Sequence, residues 1–256
     1  MRSLINKLHK ILVKFIIPVK NNSLNKIEHY GTYYGGYDIV NKNDIKTVIS
    51  CGLGEDATFD VEILNKFDCR IIAIDPTPRS IIHYNEISKK FGKKNDKNYE
   101  TKGGRQNVNC YNLENINEKK FIFLDKAITD KNNSKIKLYF PINEEFVSTS
   151  LENDKNYSSK YLLADTINLE NIIEKYEIKN IDILKLDIEG GELLVLKDII
   201  NKKIFPDQIL VEFKNIKSFN IFTLFKIFNL TKKLIKNGYQ VVNVNKKGDY
   251  TFLKIS

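Results

Sequence analysis

Short β-branched runs alternate with stretches of helical period from position 46 to the end of the chain. Lys46–Cys51 predicts a first strand that ends in Gly52-Leu53-Gly54. Glu55–Lys66 follows with Phe59, Ile63 and Phe67 at helical spacing. Arg70–Ile74 predicts a second strand, closed by Asp75-Pro76, and Arg79–Lys90 a second helix. Gly92–Arg105 is polar and rich in lysine, the pattern of an exposed loop. Phe121–Ile128 and Ile136–Phe140 predict further strands, Leu169–Tyr176 a helix, Ile181–Ile188 a buried strand and Glu192–Ile200 the helix after it. Gln208–Phe213 is the next strand and Phe219–Lys236 the next helix. Tyr239–Val244 and Tyr250–Ile255 flank Lys246-Lys247-Gly248-Asp249, a hairpin-turn signal. The whole predicts an α/β chain with a Rossmann-like, doubly wound, mostly parallel sheet and a C-terminal antiparallel hairpin.

Residues 1–28 stand apart from this alternation. Leu4, Leu8, Ile11 and Phe15, with Ile5, Leu12 and Ile16, recur at helical spacing among Arg2, Lys7, Lys10 and Lys14. That is a basic amphipathic helix, suited to packing on the domain or a second subunit of a homodimer, or to lying on an anionic membrane. Its apolar runs are too short for a span or a signal-peptide core.

With 42% hydrophobic and 29% charged residues, the chain of 256 residues is globular rather than disordered. Cys51, Cys69 and Cys110 contain no CxxC pair, which points to a reduced, cytoplasmic compartment and no structural zinc. The net charge of +9 is almost all lysine, the arginines being Arg2, Arg70, Arg79 and Arg105. Bidentate reading of phosphate or guanine favours arginine. The surplus therefore argues for an anionic small-molecule or glycan partner, or the inner face of a membrane, more than for nucleic acid.

The chemistry is concentrated at two places. Gly52-Leu53-Gly54-Glu55-Asp56-Ala57 fits GxGxx(G/A) between a strand and a helix, and Asp75 ends the next strand. Cys51, Gly52, Leu53, Gly54, Glu55, Asp56, Asp75 and Pro76 are the candidate cofactor-binding residues. Such a loop suits a dinucleotide or S-adenosylmethionine. Glu55 and Asp56 would repel a diphosphate but tolerate an ammonium and a sulfonium.

SCGLGEDATFDVEI, DPTPRS, DILKLDIEGGE and ILVEFK together resemble the FkbM-type family of S-adenosylmethionine-dependent methyltransferases, over roughly Tyr30 to Ser256. His29-Tyr30-Gly31-Thr32-Tyr33-Tyr34 also resembles the segment that precedes the first strand in an FkbM subgroup. The resemblance implies a class I methyltransferase fold over residues 29–256. It also implies methyl transfer to a hydroxyl, usually of a sugar, glycan or secondary metabolite, in a setting such as capsule or surface-polysaccharide synthesis. The chain departs from the family at Lys214, where histidine is common.

The second place is KLDIEGGE. Alternation along the predicted strand sends Lys185, Asp187 and Glu189 to one face, with Glu192 at the next helix start and Glu212 at the end of the neighbouring strand. Asp187 is the expected general base, Glu189 a holder of the acceptor, Lys185 a lowering influence on the carboxylate pKa and Glu212 a flank. An ion pair plus a helix cap is the bland alternative, and Mg²⁺ held by Asp187, Glu189 and Glu212 a chemical one. Arg79 reads as structural, while His29 and Ser148-Thr149-Ser150 are weaker site candidates. The rival functions are an RNA methyltransferase, an NAD-binding oxidoreductase and a non-catalytic membrane-attached binding protein.

Overall fold

The computed structural model describes residues 17–20, 26–42, 44–101, 104–143, 149–151, 156–214, 216 and 221–255. The amphipathic stretch 1–16 lies outside the described residues. Among the described residues there are twelve strands: β1 (Ile27–Tyr30), β2 (Tyr37–Val40), β3 (Thr47–Cys51), β4 (Arg70–Ile74), β5 (Phe121–Leu124), β6 (Ala127–Ile128), β7 (Lys135–Pro141), β8 (Tyr157–Ile167), β9 (Ile183–Leu186), β10 (Gln208–Val211), β11 (Tyr239–Val244) and β12 (Tyr250–Lys254). The helices are α1 (Thr58–Lys66), α2 (Pro78–Ser88), α3 (Leu169–Lys175), α4 (Glu192–Lys202) and α5 (Ile221–Lys236).

The main sheet has seven strands in the order β11-β12-β10-β9-β3-β4-β5. The run β10, β9, β3, β4 and β5 is parallel. β12 is antiparallel to β10, and β11 is antiparallel to β12. Side chains of one strand alternate between two cores. Ile49, Ile72, Leu184 and Ile209 pack with residues of α3, α4 and α5, whereas Val48, Ile71, Ile183 and Leu210 pack with α1 and the β1–β2 pair. Helices therefore cover both faces, as a parallel sheet requires.

The sequence pattern left several elements unseen. The eleven residues of β8 are mostly solvent-facing, with burial confined to Ala164, Thr166 and Ile167. Its apolar stretch Tyr161–Ala164 is short, and Tyr161 and Leu163 within it face solvent, so the pattern does not mark a buried strand. β8 pairs antiparallel with β7 and parallel with β6 in a separate three-stranded sheet. The expected strand 121–128 breaks at Asp125-Lys126, because β5 belongs to the main sheet and β6 to the smaller one. β1 and β2 form a two-stranded antiparallel pair too short to read from pattern alone.

A boundary at residue 28 separates less than the sequence suggests. Ile17 is buried in the α5-side core, Val19 bridges to Val241, and Lys20 N–H donates to the Val241 carbonyl at 2.7 Å. Residues 17–20 thus pack on the exposed edge of β11.

Candidate active site

A cleft of about 550 Å³ opens at the carboxyl ends of β3, β4, β9 and β10. This is where ligands sit in such sheets, since the strands stop and the loops diverge there. The glycine loop forms its floor. Gly52 has φ +86°, and a Cβ added to it would lie 1.8 Å from the Asp187 carbonyl oxygen. No side chain fits that gap. Gly54 has φ +61° and faces open space. Lys185 sits beneath the loop, donating from Nζ to the Gly52 carbonyl and lying 5.2 Å from the Tyr37 ring centroid.

Asp75 fastens the loop from the side. Its Oδ2 accepts from Leu53 N–H at 3.0 Å and Gly54 N–H at 2.9 Å, and its Oδ1 from the N–H and hydroxyl of Thr77 at 2.9 and 2.7 Å. A carboxylate has about four acceptor positions, and these four donors fill them.

Segment 31–36 straps the loop from above. The Thr32 hydroxyl donates to Asp56 Oδ2 at 2.8 Å, and Thr58 donates to Asp56 Oδ1 from its N–H and its hydroxyl. Gly35 rests directly on the Asp56 carboxyl, and Gly104 on the Tyr34 ring. Lys247 holds the other end of the strap, donating to the Tyr34 carbonyl at 2.6 Å.

The KLDIEGGE residues gather at the same cleft, by a different route from simple alternation. β9 ends at Leu186, so Asp187 and Glu189 lie beyond the strand rather than on it. Glu189 has φ 51°, a left-handed conformation that turns the chain before Gly190. Lys185, Asp187, Glu189 and Glu212 all line the cleft. The Asp187 Oδ2 accepts from the buried Tyr37 phenol at 2.7 Å, and burial together with that carboxylate pushes the Tyr37 pKa well above its ordinary value. The Ser150 hydroxyl donates to the Glu189 carbonyl at 3.1 Å and itself accepts from Lys214 Nζ. Lys214 also lies 4.2 Å from the Tyr157 ring centroid.

Other sequence candidates fall into structural positions. The Cys51 side chain is fully buried in the core, where desolvation raises its pKa to about 12; it does not line the cleft. Asp56 reaches the cleft, but its carboxylate is taken up by Thr32 of the strap and by Thr58 of α1. Glu55 also lines the cleft, yet it is paired with Arg79 at 2.8 Å and Arg105 at 3.4 Å. It presents no bare negative charge, which weakens the electrostatic argument against a diphosphate. Glu192 is a cap: its carboxylate accepts from Gly190 N–H at 3.0 Å and Ile188 N–H at 3.3 Å. Burial raises its pKa to about 8. Leu53, Gly54, Asp75 and Pro76 line the cleft as expected residues, with Thr149 beside them; Ser148 lies outside the described residues. His29 bonds Asp38 at 2.7 Å and does not line this cleft. Among the described residues, no group of three or more His, Cys, Asp or Glu is placed to hold a metal ion.

A family model described as the Methyltransferase FkbM domain matches residues 40–241. The chain belongs to that methyltransferase family. No curated protein and no solved structure matches it. The matched span contains the glycine loop, Asp75, Asp187 and Glu212, but not the strap or the turn at 245–249.

Sequence reasoning missed several lining residues. Tyr33 and Tyr34 come from the strap, whose segment 29–34 was singled out by resemblance without these two being named as site residues, Lys126 from the break between β5 and β6, and Lys246 and Lys247 from the turn between β11 and β12. The turn itself was legible, but its projection into the cleft depends on β12 pairing next to β10. Tyr37 carried no signal at all, since its strand was not predicted.

Proposed function

We propose that the protein is an S-adenosylmethionine-dependent O-methyltransferase acting on a hydroxyl of a sugar or modified sugar. One observation carries this reading. Asp187 packs its main-chain oxygen on Gly52 and itself lines the same cleft, so the cofactor-side loop and a candidate base are joined in one residue.

The cleft suits the cofactor. Ile74, Ala127, Ile128, Leu138 and Leu151 give an apolar side for a flat base, and Gly54 leaves room for close backbone approach. The carboxylates on the other side suit an ammonium and a sulfonium. Asp75 would contact ribose hydroxyls by exchanging its bond to the Thr77 hydroxyl, the single side-chain donor among its four. The cofactor, when bound, supplies an activated methyl group with a neutral sulfide as leaving group.

The chain's own work is then alignment and proton removal. Asp187 accepts the acceptor's hydroxyl proton as the new O–C bond forms. Tyr37 fixes the carboxylate. Glu189 and Glu212 flank the acceptor, and Lys185 secures the loop from below. Capsule or surface-polysaccharide assembly is the setting we favour, from the family's usual acceptors. Among the described residues no helix is long and apolar enough to cross a membrane, and we assign any membrane contact to residues 1–22.

The test is transfer of a labelled methyl group from S-adenosylmethionine to a panel of sugar nucleotides and glycan fragments. Incorporation into a hydroxyl is the expected result. Calorimetry showing tight NADH binding with none for S-adenosylhomocysteine would sink the proposal.

A further inference from the structure

A second cavity of about 350 Å³ lies next to the cleft. Tyr33, Lys246 and Lys247 line both spaces, so the tip of the strap and the β11–β12 turn form a shared wall. His29, Asp38 and Asn245 contribute the rest of the polar lining.

The charges around this second space are unequally matched. Asp38 accepts from His29 Nδ1 and from Asn243 Nδ2, each at 2.7 Å. Asp249, buried behind the turn, accepts from Lys247 at 3.1 Å and from Asn245 Nδ2 at 2.8 Å. Lys247 is further occupied by the Tyr34 carbonyl and lies 4.8 Å from the Tyr37 ring centroid. Both nearby carboxylates are therefore provided with donors, and one of the two lysines is committed to the protein. Lys246 is exposed and has no ion pair among the described residues. Tyr33, which lines the same two cavities, is 65% exposed.

A free ammonium next to an open aromatic face, where two cavities meet, is the chemistry that holds a phosphate and the ring attached to it. We propose that the second cavity is a subsite for a phosphate or diphosphate group of the methyl acceptor, held by Lys246, with Tyr33 stacking on the adjoining ring. The proposal rests on the methyltransferase reading of the main cleft and narrows its acceptor to phosphorylated sugars, nucleoside-diphosphate sugars included. Lys247 shapes the subsite by fixing the strap to the turn.

The experiment is titration calorimetry on the full chain with inorganic pyrophosphate and with uridine diphosphate, each with saturating S-adenosylhomocysteine. Both probes should bind, and more weakly as salt rises. Lys246→Ala should weaken both about fivefold, the scale of one partly screened charge contact. Lys246→Glu should abolish binding of both probes, with a melting temperature and circular-dichroism spectrum equal to wild type showing that the variant is folded. Tyr33→Ala should weaken uridine diphosphate but not pyrophosphate. Probe affinities equal in wild type and Lys246→Glu overturn the subsite, as does the absence of any binding at millimolar probe. Lys246-dependent probe binding in a chain that never binds S-adenosylhomocysteine overturns the methyltransferase reading and leaves the anion subsite standing.

Discussion

The Tyr37 phenol donates to Asp187 Oδ2 at 2.7 Å, joining β2 to the end of β9. Tyr37 is fully enclosed, edge-on to Phe59 and flanked by the ammonium groups of Lys185 and Lys247. Its raised pKa keeps the phenol protonated through the working range, so it remains a donor. It is a positioning residue, acting through Asp187.

Two substitutions separate the base from its support. Asp187→Asn preserves shape but cannot take a proton, and removal of a general base costs on the order of 10²–10⁴ in rate. Tyr37→Phe keeps the ring packing and loses the hydrogen bond, so kcat should fall by roughly 10-fold to 100-fold from misalignment. KM and S-adenosylhomocysteine affinity should hardly move in either variant. Single-turnover rates at saturating acceptor decide the matter. An Asp187→Asn enzyme at wild-type rate makes Asp187 structural, and Tyr37→Phe effects confined to KM remove its positioning role.

The difference in legibility between these two residues has a physical basis. Asp187 was readable because a charged residue in an apolar run must be paired or functional. The main strands β3, β4, β9 and β10 were readable for a different reason, being nearly continuous buried runs. Tyr37 was not, because a tyrosine in a four-residue strand has no periodicity to mark it. Asp60 was missed as well: it is buried in α1, where desolvation raises its pKa, yet in sequence it passes for a solvent-facing helix residue. The strap and the 245–249 turn meet the cleft only through long-range pairing, which no local pattern encodes.

Gly52 is the least replaceable position in the site. Its φ of +86° is costly for any side chain, and the Asp187 carbonyl occupies the space a Cβ needs. Gly52→Ala must therefore push the glycine loop away from Asp187. We expect loss of S-adenosylhomocysteine binding and a lower melting temperature. Gly54→Ala, with the same handedness but open space around it, should cost stability without dislodging Asp187. Equal cofactor affinity in Gly52→Ala and wild type would show that the loop does not hold the cofactor.

Asp75 links stability and binding in one side chain. Asp75→Ala leaves the N–H groups of Leu53, Gly54 and Thr77 without their acceptor. Each such loss at a buried donor costs about 1–3 kcal/mol. The expected result is a large fall in melting temperature even without ligand, accompanied by weaker S-adenosylhomocysteine binding. Thr77→Val separates the two effects, since it removes only the hydroxyl donor and frees one acceptor position on Asp75. An Asp75→Ala chain as stable as wild type contradicts the fastening role.

Glu192 predicts how stability depends on pH. Its pKa rises from 4.5 to about 8, first because burial penalises the charge and further because Asp187 and Glu189 stand nearby. Between these values the folded chain keeps a proton that the unfolded chain has released. The contribution is therefore fully present below pH 4.5 and is lost as pH rises through about 8. Its size is on the order of a few kcal/mol. Glu192→Gln is neutral throughout and still offers an acceptor to Gly190 N–H. Urea unfolding at pH 5, 7 and 9 should show the variant gaining on wild type as pH rises, with the gap levelling off above pH 8. Asp187→Asn removes one of the raising charges, so in that background the decline should still begin near pH 4.5 but level off at lower pH and be smaller in total. Parallel stability curves for wild type and Glu192→Gln would mean that Glu192 is ionised in the folded chain, and that the two capping N–H groups outweigh its burial.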